Sequence, residues 1–367
     1  MNDSDESHVV ASPHYTHAGA AHFLAFYNVY KDVHGYLAVA VCCLGILANI
    51  TNIVVLTRKK MRSQTNLILT SLAVSDGLTM CVYLPFALHF YCLYGTDASP
   101  QRNSLLSAYF LIFVAVFVVI CHTVSIYLIV LLALLRYVYI AHPARAKVLC
   151  SLRHTRYGVM AVIAMSLVIC SPNFFIYKTI GHDKSPVNET VTLVVWVIGY
   201  KTDSDAQIWL CHVNFWMQAL LGKLIPCVIL LILMASIVHH LRLLQKRRQL
   251  LQQVSSAHVS LISTHRKQSV RVSRRRANQT TVMLLVVVSL FTLTELPQGI
   301  LNLLSGILPG FVLEVYDPLG DFMDILVLIN TAVNFLLYCV MSKAFRETFL
   351  ETFRCAAVPS DVRPTRL

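Results

Sequence analysis

Several polar side chains lie inside long apolar runs of this sequence, where burying them is costly. Asp76, Ser125, Asn330 and Asn334 stand in three such runs, and Asn49 stands in a fourth. If the runs pack against one another, these side chains converge. A carboxylate kept from water needs a counter-charge or hydrogen-bond donors, and oxygen ligands of this kind suit a hard cation. A water-filled polar network without an ion is the alternative.

The apolar runs are long enough to cross a membrane. The 367 residues are 56% hydrophobic and only 13% charged, which leaves too little charge to cover a water-facing surface. A spanning helix needs roughly 20 apolar residues, and the alternation of a membrane barrel is absent. The sequence therefore predicts an all-α membrane protein, a seven-transmembrane helix bundle. Its spans are 35–56, 67–91, 105–140, 158–177, 208–237, 281–308 and 318–341.

Basic residues set the expected orientation. Most of the 30 Lys and Arg residues fall on the side that holds loops one, three and five, and the positive-inside rule makes that side cytoplasmic. Residues 1–34 then form an extracellular tail, 35–341 the membrane domain with an inner loop at 242–276, and 356–367 a cytoplasmic tail. We expect a plasma-membrane protein with its N-terminus outside and its C-terminus inside. Sequons at Asn2 and Asn188 are predicted glycosylation sites.

A short amphipathic helix is predicted after the seventh run, at 342–355. Phe345, Phe349 and Phe353 fall on one face of this segment, so it should lie on the membrane surface. Cys355 at its end is a predicted palmitoylation site.

The cysteines are mostly inside the apolar runs, where they pack as small apolar residues. Cys92 and Cys211 fall at the outer side, in oxidising surroundings. We predict that these two form a disulfide.

The segments expected outside carry more acidic than basic residues, although the whole chain has a net charge of +12. Such a surface attracts cationic ligands. Asp324, with Asp321 before it, is predicted to pair with a ligand guanidinium, because such contacts are strong and directional. Glu295 either contacts the ligand or is a structural switch, protonated or bonded to Gln298 or His122. The predicted ligand-binding residues are Asp324, Asp321, Glu295, Gln298, His122, Tyr91 and Trp216.

The order of the polar residues resembles that of rhodopsin-like (class A) G-protein-coupled receptors along all seven runs. The resemblance rests on Asn49, on the LAxxD match ending at Asp76, on Leu135-Arg136-Tyr137, on Pro226 and Pro297, and on the NPxxY-like run from Asn334 to Tyr338. Residues 121–126, 223–227, 294–301 and 321–326 resemble more closely the invertebrate receptors for myosuppressin and other FMRFamide-like peptides, the dromyosuppressin-receptor-related group. This likeness covers about residues 35–353.

The resemblance implies roles for individual residues. It implies an allosteric sodium ion held by Asp76, Ser125, Asn330 and Asn334. It also implies a kink at Pro297 that lets the inner half of helix six swing, since proline removes a backbone hydrogen bond. The implied coupling and switch residues are Arg136, Tyr137, Asn334, Tyr338, Pro226, Ile126, Phe291 and Pro297.

The sequence also departs from the class A pattern. Leu135 replaces the acidic neighbour of Arg136, and Ala277 stands where helix six often carries a second acid. The usual inactive-state ionic lock is therefore missing, and we expect easier activation. Glu295 replaces the usual Trp, and Leu111 stands where most relatives have a disulfide cysteine.

The implied function is a receptor for an extracellular amidated peptide, FMRFamide-like or myosuppressin-like, that signals to heterotrimeric G proteins of the inhibitory type. Arrestin and kinases are expected partners, and nucleic acid is not. A chemoreceptor for a small molecule on the same fold is the alternative. No catalytic residues stand out, so an enzyme is not predicted, nor is any cofactor besides sodium.

Overall fold

The computed structural model describes residues 19–96, 98–183, 194–256, 264–308 and 310–357; within these, the side chains of 147, 248, 250–284 and 354–357 are not described. Seven helices in this part are long and apolar enough to cross a membrane. The seven-helix bundle and the short helix after it are confirmed. The predicted sites at Asn2, Asn188 and the Cys355 side chain lie outside the described residues.

The helices follow one another with short connections. Helix one spans Ala20–Leu56, helix two Gln64–Ala87, helix three Leu105–Ala141, helix four Leu152–Cys170, helix five Asp205–Met217 and Ile225–Ser256, helix six Thr264–Ile307, helix seven Asp317–Met341 and helix eight Lys343–Ala357. Shorter helical pieces lie at Lys59–Met61, Pro143–Leu149 and Asn173–Ile176.

Three helices extend well beyond the predicted spans. Helix one begins at Ala20, helix five continues to Ser256 and helix six already begins at Thr264. Most of the segment 242–276, predicted as an inner loop, is therefore helical. Hydropathy detects only the apolar part of a helix, whereas adding a residue to an existing helix costs little. The segment contains no Gly or Pro and is rich in Leu, Gln, Lys and Arg, which are good helix formers.

Wide π-helical turns occur beside prolines. Leu88–Leu93 continues helix two shortly after Pro85, Gln218–Leu224 lies within helix five just before Pro226, and Val312–Tyr316 leads into helix seven. Pro226 has no N–H to donate to the preceding turn, which favours such a local widening. The freed Leu221 carbonyl of the helix-five turn accepts a hydrogen bond from the Tyr127 hydroxyl at 2.7 Å.

A β-hairpin covers one end of the bundle and was missed by the all-helical prediction. Strand β1, Tyr177–Asp183, pairs antiparallel with β2, Val194–Tyr200, in the register Tyr177↔Tyr200 to Asp183↔Val194. The second strand is rich in β-branched and aromatic residues, which favour strands. The end of the bundle that carries this hairpin is called the hairpin end below, and the opposite end is called the Arg136 end.

The predicted disulfide between Cys92 and Cys211 is not formed. Both thiols are free. Cys92 lies against helix one, since its sulfur is a near neighbour of Gly35, and the Cys211 sulfur lies 3.7 Å from the Lys201 carbonyl oxygen. Sharing the oxidising side of a membrane is necessary for a disulfide, but it does not fix the direction in which each side chain points.

Hydrogen bonds from Asn103 join the hairpin to helix three instead. The Trp196 N–H donates to the Asn103 carbonyl oxygen at 2.8 Å. The Asn103 side-chain amide donates to the Trp196 carbonyl oxygen at 3.2 Å. The preceding Arg102 donates to the Phe90 carbonyl oxygen at 3.2 Å, and its guanidinium lies 5.1 Å from the centre of the Phe90 ring. Asn103 thus links β2 to the start of helix three without a covalent bond.

The core between the helices contains several of the predicted switch residues. Ile126 and Phe291 are 1% and 3% exposed and belong to one apolar cluster that also contains Tyr338. Pro226 is buried as well. Helix eight packs onto this cluster through Phe345, whose ring centre lies 6.0 Å from that of Phe335. Large apolar side chains remain exposed around the bundle, as a lipid-facing surface requires.

Candidate functional site

A cavity of about 630 Å³ opens at the hairpin end. This volume lies within the range of small-ligand pockets, roughly 300–1,000 Å³. Four members of the predicted ligand-binding set line it, namely Asp324, Gln298, His122 and Trp216. Its wall also includes residues that were not predicted, among them Lys223, Asp317, Tyr316, Tyr177 and Tyr200.

The cavity floor holds a buried ion pair between helices five and six. Glu295 is 0% exposed. One of its oxygens, Oε2, accepts a hydrogen bond from Lys223 Nζ at 3.1 Å and lies 3.0 Å from His122 Nε2. Lys223 Nζ also donates to Gln298 Oε1 at 2.5 Å. Helices three, five and six are therefore joined through one carboxylate.

The contact between Glu295 and His122 is one of the alternatives predicted from the sequence, whereas Lys223 was missed. Lys223 was counted among the basic residues of the outer surface. It lies instead in the wide turn Gln218–Leu224, which is part of helix five. A lysine inside an apolar run is as unusual as a glutamate there, so the sequence did carry the signal. The same reasoning would have paired Lys223 with Glu295.

Asp324 faces the cavity and has no basic partner in the part of the chain that the structure describes. The Tyr83 hydroxyl donates to Asp324 Oδ2 at 3.4 Å, and His34 Nε2 lies 3.2 Å from the same hydroxyl. Among the described residues, neither Asp324 nor Asp317 forms an ion pair. Both carboxylates therefore remain available to a cationic ligand group.

The other three predicted ligand-binding residues are not part of the cavity wall. Glu295 lies behind Lys223 and is fully buried. Tyr91 donates its hydroxyl hydrogen to Asp321 Oδ1 at 2.7 Å, and its ring lies edge-on to His34 with the ring centres 4.8 Å apart. Tyr91 and Asp321 thus join helices two and seven beside the cavity. Sequence position placed them at the correct depth but could not fix the direction of their side chains.

Two tyrosines of the hairpin form a neutral part of the wall. Tyr177 and Tyr200 stack with their ring centres 5.5 Å apart. Burial raises the pKa of both hydroxyls above the usual value. At physiological pH they therefore present uncharged hydroxyl groups to the cavity.

A second polar site lies deeper in the bundle, around Asp76. Ser125 donates to Asp76 Oδ1 at 2.7 Å, and the Asn334 amide donates to Oδ2 at 3.1 Å. A cavity of about 10 Å³ adjoins them, lined also by Asn330 and His122. This is about the space that one water needs. The expected convergence of these residues is therefore observed, except that Asn49 donates to the Gly45 carbonyl oxygen instead.

The oxygens around this small cavity fit a sodium ion. Asp76 supplies a buried carboxylate, and Ser125 and Asn330 supply neutral oxygens at the same cavity. No ammonium or guanidinium group of the described residues forms an ion pair with Asp76. A small hard cation would supply the missing positive charge. His122 lines both this cavity and the larger one, so it separates the two sites.

A third cavity, of about 530 Å³, lies at the Arg136 end. Arg136 donates from Nη2 to the Thr65 hydroxyl at 2.9 Å. In the described part of the chain no carboxylate forms an ion pair with it, in agreement with Leu135 in place of an acid. The Ala277 side chain lies outside the described residues. Tyr338 also lines this cavity, while the Tyr137 ring packs edge-on against His240.

Comparison with known proteins gives the family. The family model of the serpentine-type 7TM GPCR chemoreceptors Srw matches residues 36–356. The G-protein coupled receptor dmsr-1 of Caenorhabditis elegans is 32% identical over 94% of this chain and 72% of its own length. The sex peptide receptor of Drosophila melanogaster is 28% identical over 88% and 72%, and the FMRFamide receptor of that species 26% over 88% and 54%. The chain belongs to the serpentine-type seven-transmembrane G-protein-coupled receptors of the Srw family.

Proposed function

We propose that this receptor binds an extracellular amidated neuropeptide, FMRFamide-like or myosuppressin-like, and signals to heterotrimeric G proteins. The observation that carries the proposal is the cavity at the hairpin end, where Asp324 and Asp317 form no ion pair with any described residue. A peptide with an arginine side chain supplies the missing cation. The names of the similar receptors, one of which is an FMRFamide receptor, support a peptide ligand.

The proposal requires the hairpin end to be extracellular, with the N-terminus outside and the C-terminus inside. The distribution of basic residues supports this orientation in the plasma membrane. The cavity at the Arg136 end then faces the cytoplasm, the side on which a G protein binds. Inhibitory coupling, and regulation by arrestin and kinases, are proposed from the resemblance. Asp76, Ser125, Asn330 and Asn334 are proposed to hold sodium.

The first test is a screen of transfected cells for calcium or cAMP responses to a library of amidated peptides. For a peptide that activates, Asp324→Asn should weaken potency about 30-fold or more, because it removes one partner of a buried charge pair. Asp321→Asn is the matched control, since that carboxylate lies one turn away but contacts Tyr91. Equal effects of the two substitutions would contradict the site. A surface-expressed receptor that answers no peptide would contradict the function.

A chemoreceptor for a small molecule is the second candidate. The description of the matching family model supports it, and so does a cavity of about 630 Å³, since pockets of this size usually bind small molecules. Activation by members of an odorant panel, together with no response to the peptide library, would favour this candidate.

A further inference from the structure

We propose that Lys223 and Gln298, backed by Glu295, form a subsite that accepts the neutral carboxamide end of a peptide and rejects a free carboxylate. This inference rests on the proposed peptide function and adds to it a basis for selecting amidated ligands. It is carried by the arrangement of donors and charges on the cavity floor.

The floor offers hydrogen-bond donors to the cavity. An ammonium group has three N–H donors, and Lys223 uses two of them on Glu295 and Gln298. The side chain of Lys223 is 15% exposed, while that of Glu295 is 0% exposed. Because Lys223 and Gln298 line the cavity and Glu295 lies behind them, the remaining N–H groups of the floor are the ones that a ligand oxygen can reach.

The same floor has no spare positive charge. Lys223 is already paired with Glu295 at 3.1 Å. The other acidic side chains on the wall are Asp324 and Asp317, and His122 and His212 are the imidazoles among the described lining residues. Carboxylates therefore outnumber ammonium groups around the cavity. A ligand carboxylate would be buried beside three carboxylates, whereas a neutral amide oxygen can accept from the floor without that penalty.

The two subsites together define a class of ligand. The amide end lies at the floor, while a cationic side chain reaches Asp324 and Asp317 on the helix-seven side of the same cavity. Peptides that end in a carboxamide, with an arginine close to that end, satisfy both requirements. A peptide with the same arginine and a free C-terminus satisfies only one.

The test uses the full-length receptor in cells and three forms of one tetrapeptide: FMRFamide, the free acid and the methyl ester. For the unaltered receptor we expect the acid to be about a hundred-fold less potent than the amide, because it brings a buried charge without a partner. The ester is neutral and keeps the acceptor oxygen, so its potency should stay close to that of the amide. An acid as potent as the amide, or an ester as weak as the acid, would overturn the inference.

Substitutions test the origin of the selectivity. Glu295→Gln frees the Lys223 charge for a ligand carboxylate, so the potency advantage of the amide over the acid should fall to about ten-fold or less. The double change Lys223→Gln with Glu295→Gln removes both charges and should restore strong selectivity for the amide. Asp321→Asn removes a carboxylate that does not line the cavity and should leave the ratio unchanged.

These outcomes separate the inference from the function on which it rests. A potency ratio does not depend on expression level, and the comparison of amide, acid and ester on the unaltered receptor tests the inference even if Glu295→Gln fails to reach the cell surface. If Glu295→Gln leaves the potency ratio of amide to acid unchanged, the charge argument is refuted while the peptide function stands. The same holds if the double variant does not recover the selectivity for the amide. A receptor that responds to none of the three forms of the tetrapeptide refutes the inference. A receptor that responds to no peptide of the library refutes the function as well.

Discussion

The Glu295 carboxylate joins three helices of this receptor. It contacts Lys223 and His122 through a single oxygen, Oε2, and its other oxygen, Oε1, has no hydrogen-bond partner among the described residues. Class A receptors usually have Trp at this position, where an apolar ring can move without breaking an ion pair. Any movement of helix six here must keep or exchange the contacts of a buried charge, which makes Glu295 both a structural anchor and a candidate switch.

Removing one partner of this ion pair should destabilise the bundle. Lys223→Met leaves Glu295 buried beside His122 alone, and breaking a buried pair in this way costs about 3–5 kcal/mol. We expect a clear fall in the thermal unfolding midpoint of the detergent-solubilised receptor. Lys178→Met is the control, because the pair between Lys178 and Asp203 is exposed and such pairs contribute about 0–1 kcal/mol.

Replacing both Lys223 and Glu295 should recover most of the lost thermal stability. In Lys223→Met with Glu295→Leu no charge remains unpaired, and apolar replacements of buried pairs are often neutral. If the double variant is as unstable as Lys223→Met alone, the destabilisation comes from lost packing around the lysine and not from the unpaired buried charge of Glu295.

The sequence predicted the chemistry of single residues better than their directions. Asp76, Ser125 and Asn334 were expected to meet and do so, because polar groups inside a bundle must find one another. Tyr91 and Asp321 were expected at the cavity, yet they contact each other beside it. Lys223 lies within the predicted span 208–237 but was counted with the outer basic residues, because the sequence did not show that its side chain in the wide turn Gln218–Leu224 points to Glu295. Local widening depends on Pro226 and on packing.

The hairpin is the element that the helical pattern concealed. Its second strand, Val194–Tyr200, contributes Tyr200 to the cavity, so its position affects the ligand site. Most class A relatives fix this region with a disulfide at the position of Leu111, whereas here Asn103 fixes β2 by hydrogen bonds. The link between β2 and the start of helix three is therefore made of hydrogen bonds, which can break and re-form.

Asn103→Ala should loosen the hairpin. It removes the bond from the side chain to the Trp196 carbonyl oxygen, and a net hydrogen bond contributes about 0.5–1.5 kcal/mol. The rate of amide hydrogen exchange should then rise in residues 194–200. Agonist potency should fall about three- to ten-fold, which corresponds to the loss of one such hydrogen bond. Cys92→Ser and Cys211→Ser should have little effect on either measurement, since both thiols are free. Equal damage from a cysteine substitution and from Asn103→Ala would point to a disulfide after all.

Across the whole molecule, the Asp76 site lies between the hairpin-end cavity and the cavity at the Arg136 end. The hairpin-end cavity meets the Asp76 site at His122, and the apolar cluster around Ile126 and Phe291 separates that site from Arg136. At the Arg136 end, helix eight is held by Phe345 in the core and by a bond of 2.7 Å between Lys60 and Glu351. The Glu351 carboxylate raises the pKa of the Lys60 ammonium.

Among the described residues Arg136 has a neutral partner, the Thr65 hydroxyl, and forms no ion pair, and this sets the expected balance between inactive and active states. In a receptor with an acid beside the arginine, the inactive arrangement gains an ion pair that opening must break. Leu135 supplies no such contact and instead packs against the apolar core. The inactive state is therefore less favoured, and we expect measurable G-protein activation without ligand.

Restoring the acid should lower that basal activity. In Leu135→Asp the new carboxylate can pair with Arg136, and a partly exposed pair contributes up to about 1 kcal/mol, or about five-fold in the equilibrium between states. Leu135→Asn is the matched control, because it makes the same change in size and packing without the charge. Basal nucleotide exchange on the G protein, normalised to receptor at the cell surface, should be lower for the Asp variant than for the Asn variant. Equal basal exchange in the two variants, or a wild-type receptor no more active than untransfected membranes, would show that another contact holds the inactive state.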